Sequence, residues 1–326
     1  MHFVILGAGA LGTILGGYLQ RAGHRVQLLA RGARATLLEA QGLTIGGLDD
    51  FQSHCEIVRD PAAVEVADVL INTVKTYDSV AALRALTRLK PVLAFSVQNG
   101  VVKEEELSAR FGRAKVLGAM ADFSGELLPD GNVLFTRNIK LHLGELGGGT
   151  SERANALAAA IANAGINAEA VDNVESVAWS KYVGWLALMV LAVLSRQTTG
   201  QYLQDPDLAR IAARMTRETA RLASHLKIPL LDDSPLPALK VLHASEDEAV
   251  AVIQGVGAKM HAQAPAHRMS SLQDLLRARP LELEETVGYA LRKAAEFDLV
   301  LPTVECCYRL VAAINRELLR NAGAAG

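Results

Sequence analysis

The chain has 326 residues, half of them hydrophobic and few aromatic, with a formal charge of -2. That length suits two domains and a large core, and the near-neutral charge argues against nucleic acid or an anionic membrane as the main partner. Cys55, Cys306 and Cys307 are the only cysteines, in neither a zinc nor a redox spacing, so a reduced cytoplasmic compartment is expected and no metal site.

In chain order, "HFVILGAGALG" reads as strand, turn and helix start, and its apolar stretch runs into glycines without the cationic lead of a signal peptide. Gly7, Gly9 and Gly12 form a GxGxxG loop, with Ala8, Ala10 and Leu11 between them. The first glycine permits the tight turn, and the second lets backbone approach a pyrophosphate. The third lets the helix pack on the strand, and the helix N-terminus then faces the anion. A second strand, "HRVQLLAR", ends on Arg31 with Arg34 just beyond. An NAD site would place a carboxylate there, whereas an arginine fork suits a 2′-phosphate, so NADP(H) is the expected cofactor.

"VADVLINTVK" and "PVLAFSVQNG" read as further buried strands, alternating with helical "YDSVAALRALTRL" and "VVKEEELSARFG". This rhythm means a parallel sheet, whose ligands bind at the carboxyl ends of the strands. Lys75 and Asn99 stand at such ends and are candidate cofactor or substrate contacts, against the simpler reading that strand-end polar residues meet solvent. "SGELLPDGNVLFTRNIKLHLGEL" changes period and reads as an antiparallel extension, followed by a helix in "SERANALAAAIANAG" and a last strand in "INAEAV". From Asp172 the chain reads as helical, so the domains are expected at 1–171 and 172–326.

"WSKYVGWLALMVLAVLS" sets Lys181 at the head of a long apolar run. The run from Trp179 to Ser195 looks short for a membrane span, which needs about 20 apolar residues. On a helix, Lys181 shares its face with Trp185, Leu188, Met189 and Ala192. Two readings stand for it: a snorkelling lysine, or an acid lining a cavity. Farther on come Ser270, Gln273 and Asp274, then "RPLELEE", a plausible helix N-terminus where Glu282 is either a capping carboxylate or a site residue.

"GAGALG", Arg31, "VKTYD", "QNG", "PDGNV", "WSKY", "SSLQD" and "RPLELE", in this order, resemble the ketopantoate reductase family (2-dehydropantoate 2-reductases) over nearly the whole chain. The resemblance implies an α/β, Rossmann-type NADP-binding domain joined to an all-helical substrate domain, with the active site between them. It implies that Lys181 is the proton donor, that Asn99 touches cofactor and substrate, and that Ser270 is a substrate ligand. Glu282 then fixes the substrate hydroxyl near the cofactor, and Ser124 matches a small cofactor contact. Family asparagines four and eight residues after the lysine are replaced here by Trp185 and Met189, and two further ones by Thr199 and His267. The expected activity is NADPH-dependent reduction of a 2-keto acid bulkier than ketopantoate. Another lysine-dependent hydroxyacid or polyol dehydrogenase, or a silent NADPH-binding sensor, is the alternative, with homodimerisation left open.

Overall fold

The computed structural model describes residues 1–232 and 236–324. The chain divides into two compact units, Met1–Glu175 and Ser176–Gly326, described separately below.

The first unit runs β1 (His2–Leu6), α1 (Ala10–Arg21), β2 (Arg25–Leu29), α2 (Gly32–Gln41), β3 (Leu43–Gly47), β4 (Phe51–Ser53) and β5 (Glu56–Val58). It continues with β6 (Val66–Asn72), α3 (Thr76–Ala85), β7 (Lys90–Ser96), α4 (Lys103–Phe111), β8 (Leu117–Leu127), β9 (Val133–Glu145), α5 (Glu152–Asn163) and β10 (Ala168–Ala170). Five strands form an all-parallel sheet in the order β5-β2-β1-β6-β7. Taken as they enter that sheet, the strands lie third, second, first, fourth, fifth. This is Rossmann-type order, and it reverses direction between β1 and β6, where such sheets open a ligand crevice at the carboxyl edge.

The apolar runs of these strands follow from the sheet being covered on both faces. Side chains alternate across a strand. Phe3 and Ile5 of β1 therefore join Ile71, Phe95 and α1 in one core layer, while Val4 and Leu6 join Leu70, Leu83 and Leu107 in another. The expected antiparallel extension is the β8–β9 hairpin, closed by the turn at Leu128–Asn132 and bulged at Asp122/Phe123 and Ser124/Gly125. It belongs to a second sheet, in which β9 also pairs β3 and β10. Strands β3, β4 and β5, of three to five residues, carry too little periodicity to stand out in the sequence.

The second unit is helical throughout its described residues. Its elements are α6 (Val174–Ser195), whose first residues belong to the first unit, α7 (Thr199–Gln204), α8 (Pro206–His225), α9 (Ala238–His243), α10 (Glu246–Gln263), α11 (Ser270–Leu276), α12 (Tyr289–Ala295) and α13 (Pro302–Ala324). Local signals set several starts. Asp205 caps α8 through the amides of Asp207 and Leu208 with Pro206 following, and Ser245 with Glu248 forms a capping box on α10. Helix α6 is longer than the apolar run suggested and passes for a membrane span by length and composition. However, 89% of its most apolar stretch is buried inside the molecule, as a helix apolar all round requires.

Candidate active site

The glycine loop has the conformation its residues require. Gly7 sits at φ +109°, a region side chains avoid, and a Cβ on Gly12 would lie 2.0 Å from the Gly7 carbonyl oxygen, so strand and helix meet at contact distance. A Cβ on Gly9 would meet nothing within 4 Å: the backbone there is open. Gly9 is also the N-cap of α1 and offers no side chain to the first-turn amides. Ala8, Ala10 and Leu11 pack half-buried against the core. The loop therefore fits a pyrophosphate at a bare helix N-terminus. The Thr73 hydroxyl, at the end of β6, secures it by donating to the carbonyls of Gly7 (2.8 Å) and Leu6 (3.1 Å).

The two arginines after β2 separate in role. Arg34 turns inward: its Nε donates to the Ala8 carbonyl (3.0 Å), one Nη to Gly131 O and the other to Thr13 Oγ1 (2.9 Å). It braces the glycine loop against the β8–β9 turn. Arg31 is the N-cap residue of α2 and points outward, 85% exposed, with its guanidinium 3.8 Å from the Asp78 carboxylate in the first turn of α3. Asp78 is not visible as a partner in the sequence, because nothing in the spacing brings residues 31 and 78 together.

Lys75 occupies the N-cap position of α3, without a side-chain cap, and Asn99 follows β7 by three residues; both are half-buried and stand on the same sheet edge as the glycine loop. Beneath them lies a buried polar cluster of Asn72, Ser79, Ser96 and Gln98. Ser124 lies in the hairpin at a bulge, exposed, with its hydroxyl 3.1 Å from that of Thr136.

In the second unit, Lys181 is the one residue from Trp179 to Val193 that is not buried. Its helix is held at four points. The Ser180 hydroxyl accepts from Leu231 N (2.7 Å), and the Tyr182 hydroxyl donates to Thr286 O (2.8 Å). The Leu188 carbonyl accepts from Tyr202 (3.1 Å) and the Met189 carbonyl from the Ser271 hydroxyl (2.9 Å). Burial pushes the Tyr182 phenol well above its ordinary pKa, so it stays a donor. Trp185 and Met189 are 7% and 1% exposed.

Glu282 is half-buried on a segment pinned from both sides. Leu281 N donates to Asn315 Oδ1 (2.9 Å), and the Thr286 hydroxyl donates to the Glu282 carbonyl. The helix expected to start at "RPLELEE" opens instead as a π turn, Glu284–Gly288, leading into α12. Thr286 thus links the segment of Glu282 to the residue beside Lys181, a bridge that sequence spacing gave no sign of. Ser270 opens α11, half-buried beside Ser271. Thr199 and His267, far apart in sequence, bond to each other through Oγ1 and Nδ1 (2.9 Å). Among the described residues no group of three or more His, Cys, Asp or Glu could hold a metal ion.

Residues 3–148 match the sequence family described as Ketopantoate reductase PanE/ApbA, and residues 173–315 its C-terminal counterpart. The chain belongs to the ketopantoate reductase family. A 2-dehydropantoate 2-reductase of Archaeoglobus fulgidus is 30% identical over 315 residues, 97% of this chain and 94% of that one. A ketopantoate reductase of Ralstonia eutropha JMP134 superposes with a TM-score of 0.83 at 26% identity, covering 98% of this chain and all of the other. A D-mandelate dehydrogenase solved with NADH and anilino(oxo)acetate shares the fold, at a TM-score of 0.83 and 20% identity over 98% of this chain and 99% of that one. Family membership supports an oxidoreductase reducing a 2-keto acid.

Proposed function

We propose that the protein is an NADPH-dependent 2-keto acid reductase in which Lys181 is the proton donor. The observation that carries this reading is the lysine itself, the sole incompletely buried position in a clamped apolar stretch. The reduced nicotinamide, when bound, supplies hydride to the carbonyl carbon. The glycine loop would hold the pyrophosphate, Arg31 the 2′-phosphate, and Lys75 and Asn99 the groups beyond. Lys181 Nζ, as ammonium, stabilises the oxygen that gains charge and passes it a proton, leaving a 2-hydroxy acid and a neutral amine that reprotonates from water. Glu282 favours the charged form of a nearby amine and accepts a hydrogen bond from the substrate hydroxyl, and Ser270 donates to the substrate. Residues 1–171 act as the cofactor domain and 172–326 as the substrate domain, in a cytoplasmic enzyme.

The test is turnover of NADPH by the wild type and by Lys181→Ala on a panel of 2-keto acids. The variant should lose about a hundredfold or more in kcat, the range of one positioned acid, with NADPH affinity little changed. Unchanged turnover would show a snorkelling lysine. Absence of turnover by the wild type on every acid would favour the sensor reading.

A further inference from the structure

The buried cluster at the ends of β6 and β7 is organised around one amide. Gln98 Oε1 accepts from Asn72 Nδ2 (3.2 Å) and from the Ser96 hydroxyl (2.8 Å), while its Nε2 donates to the Val74 carbonyl (2.8 Å). The second Asn72 amide hydrogen goes to Ser79 Oγ (3.0 Å), and Asn72 Oδ1 accepts from Val74 N (3.4 Å). Side chains of Asn72, at the end of β6, and of Gln98, just past β7, therefore hold the Val74 backbone at both its N–H and its C=O. Asn72 and Ser79 are fully enclosed, Ser96 is 1% exposed and Gln98 8%.

The cluster leads from one loop of the sheet edge to the next. Val74 abuts Gly7, where a Cβ would lie 2.8 Å from its Cγ1, and Thr73 donates to the Gly7 carbonyl. Lys75 follows Val74, and Asn99 follows Gln98. Past Asn99, Gly100 at φ +84° gives its carbonyl to Lys103 Nζ (2.8 Å), itself buried and 3.4 Å from Glu104. Glycine loop, Lys75 and Asn99 are thus joined by one chain of contacts with the Gln98 amide in its middle. A core of this kind costs as much as it returns in stability unless every group is satisfied, and an apolar residue would fill the space more cheaply. What an apolar residue lacks is the directional tie between the two loops.

We propose that Gln98 is a positioning residue for the dinucleotide, fixing the Val74–Lys75 loop against the Asn99 loop at the spacing that receives its nicotinamide-side half. The inference rests on the dinucleotide reading above. In the order β2-β1-β6-β7, a dinucleotide straddles the reversal point: Arg31, after β2, takes the adenosine side, and the ends of β6 and β7 take the other.

The test compares the whole cofactor with its adenosine half. NADPH and adenosine 2′,5′-bisphosphate, with NADH and ADP as the parallel pair, are titrated onto the full chain by fluorescence for wild type, Gln98→Leu, Gln98→Glu and Ser96→Ala. Thermal midpoints are recorded alongside. Gln98→Leu should weaken the dinucleotide about tenfold or more, the scale of a buried hydrogen-bond partner removed, and leave the adenosine fragment within about twofold. Gln98→Glu, whose carboxylate cannot donate to the Val74 carbonyl, should match Gln98→Leu, whereas Ser96→Ala, which keeps that bond, should show the same selectivity at smaller size and serves alone if the variants at residue 98 do not fold. Equal loss for fragment and dinucleotide, or no loss in any variant, overturns the role of Gln98. A wild type that binds neither dinucleotide overturns the cofactor reading itself, and the inference with it.

Discussion

On the proposed reading, cofactor choice turns on Arg31 and its neighbour Asp78. The guanidinium lies 3.8 Å from the carboxylate, both largely exposed, at the end of the strand where the cofactor ribose would sit. An arriving 2′-phosphate would have to win Arg31 from Asp78 and bear the repulsion of the carboxylate. Arg31→Ala should weaken NADPH about tenfold or more while sparing NADH, because a charge-assisted contact is worth about 1.5–3 kcal/mol. Asp78→Asn should strengthen NADPH about two- to fivefold, the scale of an exposed ion pair. Equal changes for both cofactors in a binding titration would remove Arg31 from the phosphate site. Trp185 bears on substrate choice at the same scale. An indole one turn from Lys181 offers little hydrogen bonding to a hydroxylated acid and apolar surface to a bulky one, at about 25 cal/mol per Å² buried. Trp185→Asn should raise kcat/KM for ketopantoate relative to an aryl 2-keto acid, and efficient wild-type turnover of ketopantoate would show the idea wrong.

At the scale of elements, α6 matters as a rigid bearer of Lys181, two turns in from its start. Its apolar surface explains its burial but not its rotation about its own axis, which the directional bonds at Ser180, Tyr182, Leu188 and Met189 define. The Tyr182–Thr286 bond also ties α6 to the segment of Glu282, since the Thr286 hydroxyl bonds the Glu282 carbonyl. Tyr182→Phe leaves the Thr286 carbonyl buried without its phenol partner and should cost about 1–3 kcal/mol in a urea melt. It should also lower kcat more than cofactor affinity, because it loosens the lysine and glutamate relative to each other. A variant with full kcat and reduced stability would confine the bond to a structural role. Most of α6 was legible in the sequence as a buried helix. The π turn after Glu282 was not, because it depends on what Thr286 bonds rather than on any local propensity.

For the molecule as a whole, acid stability follows from where its carboxylates are held. Arg153 donates to both oxygens of Glu145, to Oε1 at 2.6 Å, and Ser151 adds a third bond. Together they keep the carboxyl below its ordinary range against a smaller opposing effect of burial, tying the end of β9 to the start of α5. A carboxyl lowered by folding contributes stability above its unfolded pKa of about 4.3, and loses it as pH falls through the lower folded value. Glu104, pushed up by burial despite its Lys103 partner, acts in the opposite sense, favouring the fold below its unfolded pKa and losing that as pH rises. Thermal midpoints taken from pH 7 downward should therefore fall more steeply below about pH 5 in the wild type than in Glu145→Gln. Parallel curves would show that this pair contributes nothing.

The sequence by itself determined what depends on residue type and spacing along the chain. A glycine at φ +109° and another on which a Cβ would lie 2.0 Å from a carbonyl oxygen leave few alternatives to GxGxxG after a buried strand. Apolar runs punctuated by helices give a parallel sheet, and a helix apolar on every side must be buried. Only the tertiary structure decided which groups separated in sequence become partners: Arg34 with Ala8, Arg31 with Asp78, Gln98 with Val74, Tyr182 with Thr286, and Thr199 with His267. The physical reason is that burial and periodicity are summed over many residues and so survive in one dimension. A hydrogen bond is directional and reaches about 3 Å, so its partner is chosen only when the chain has folded.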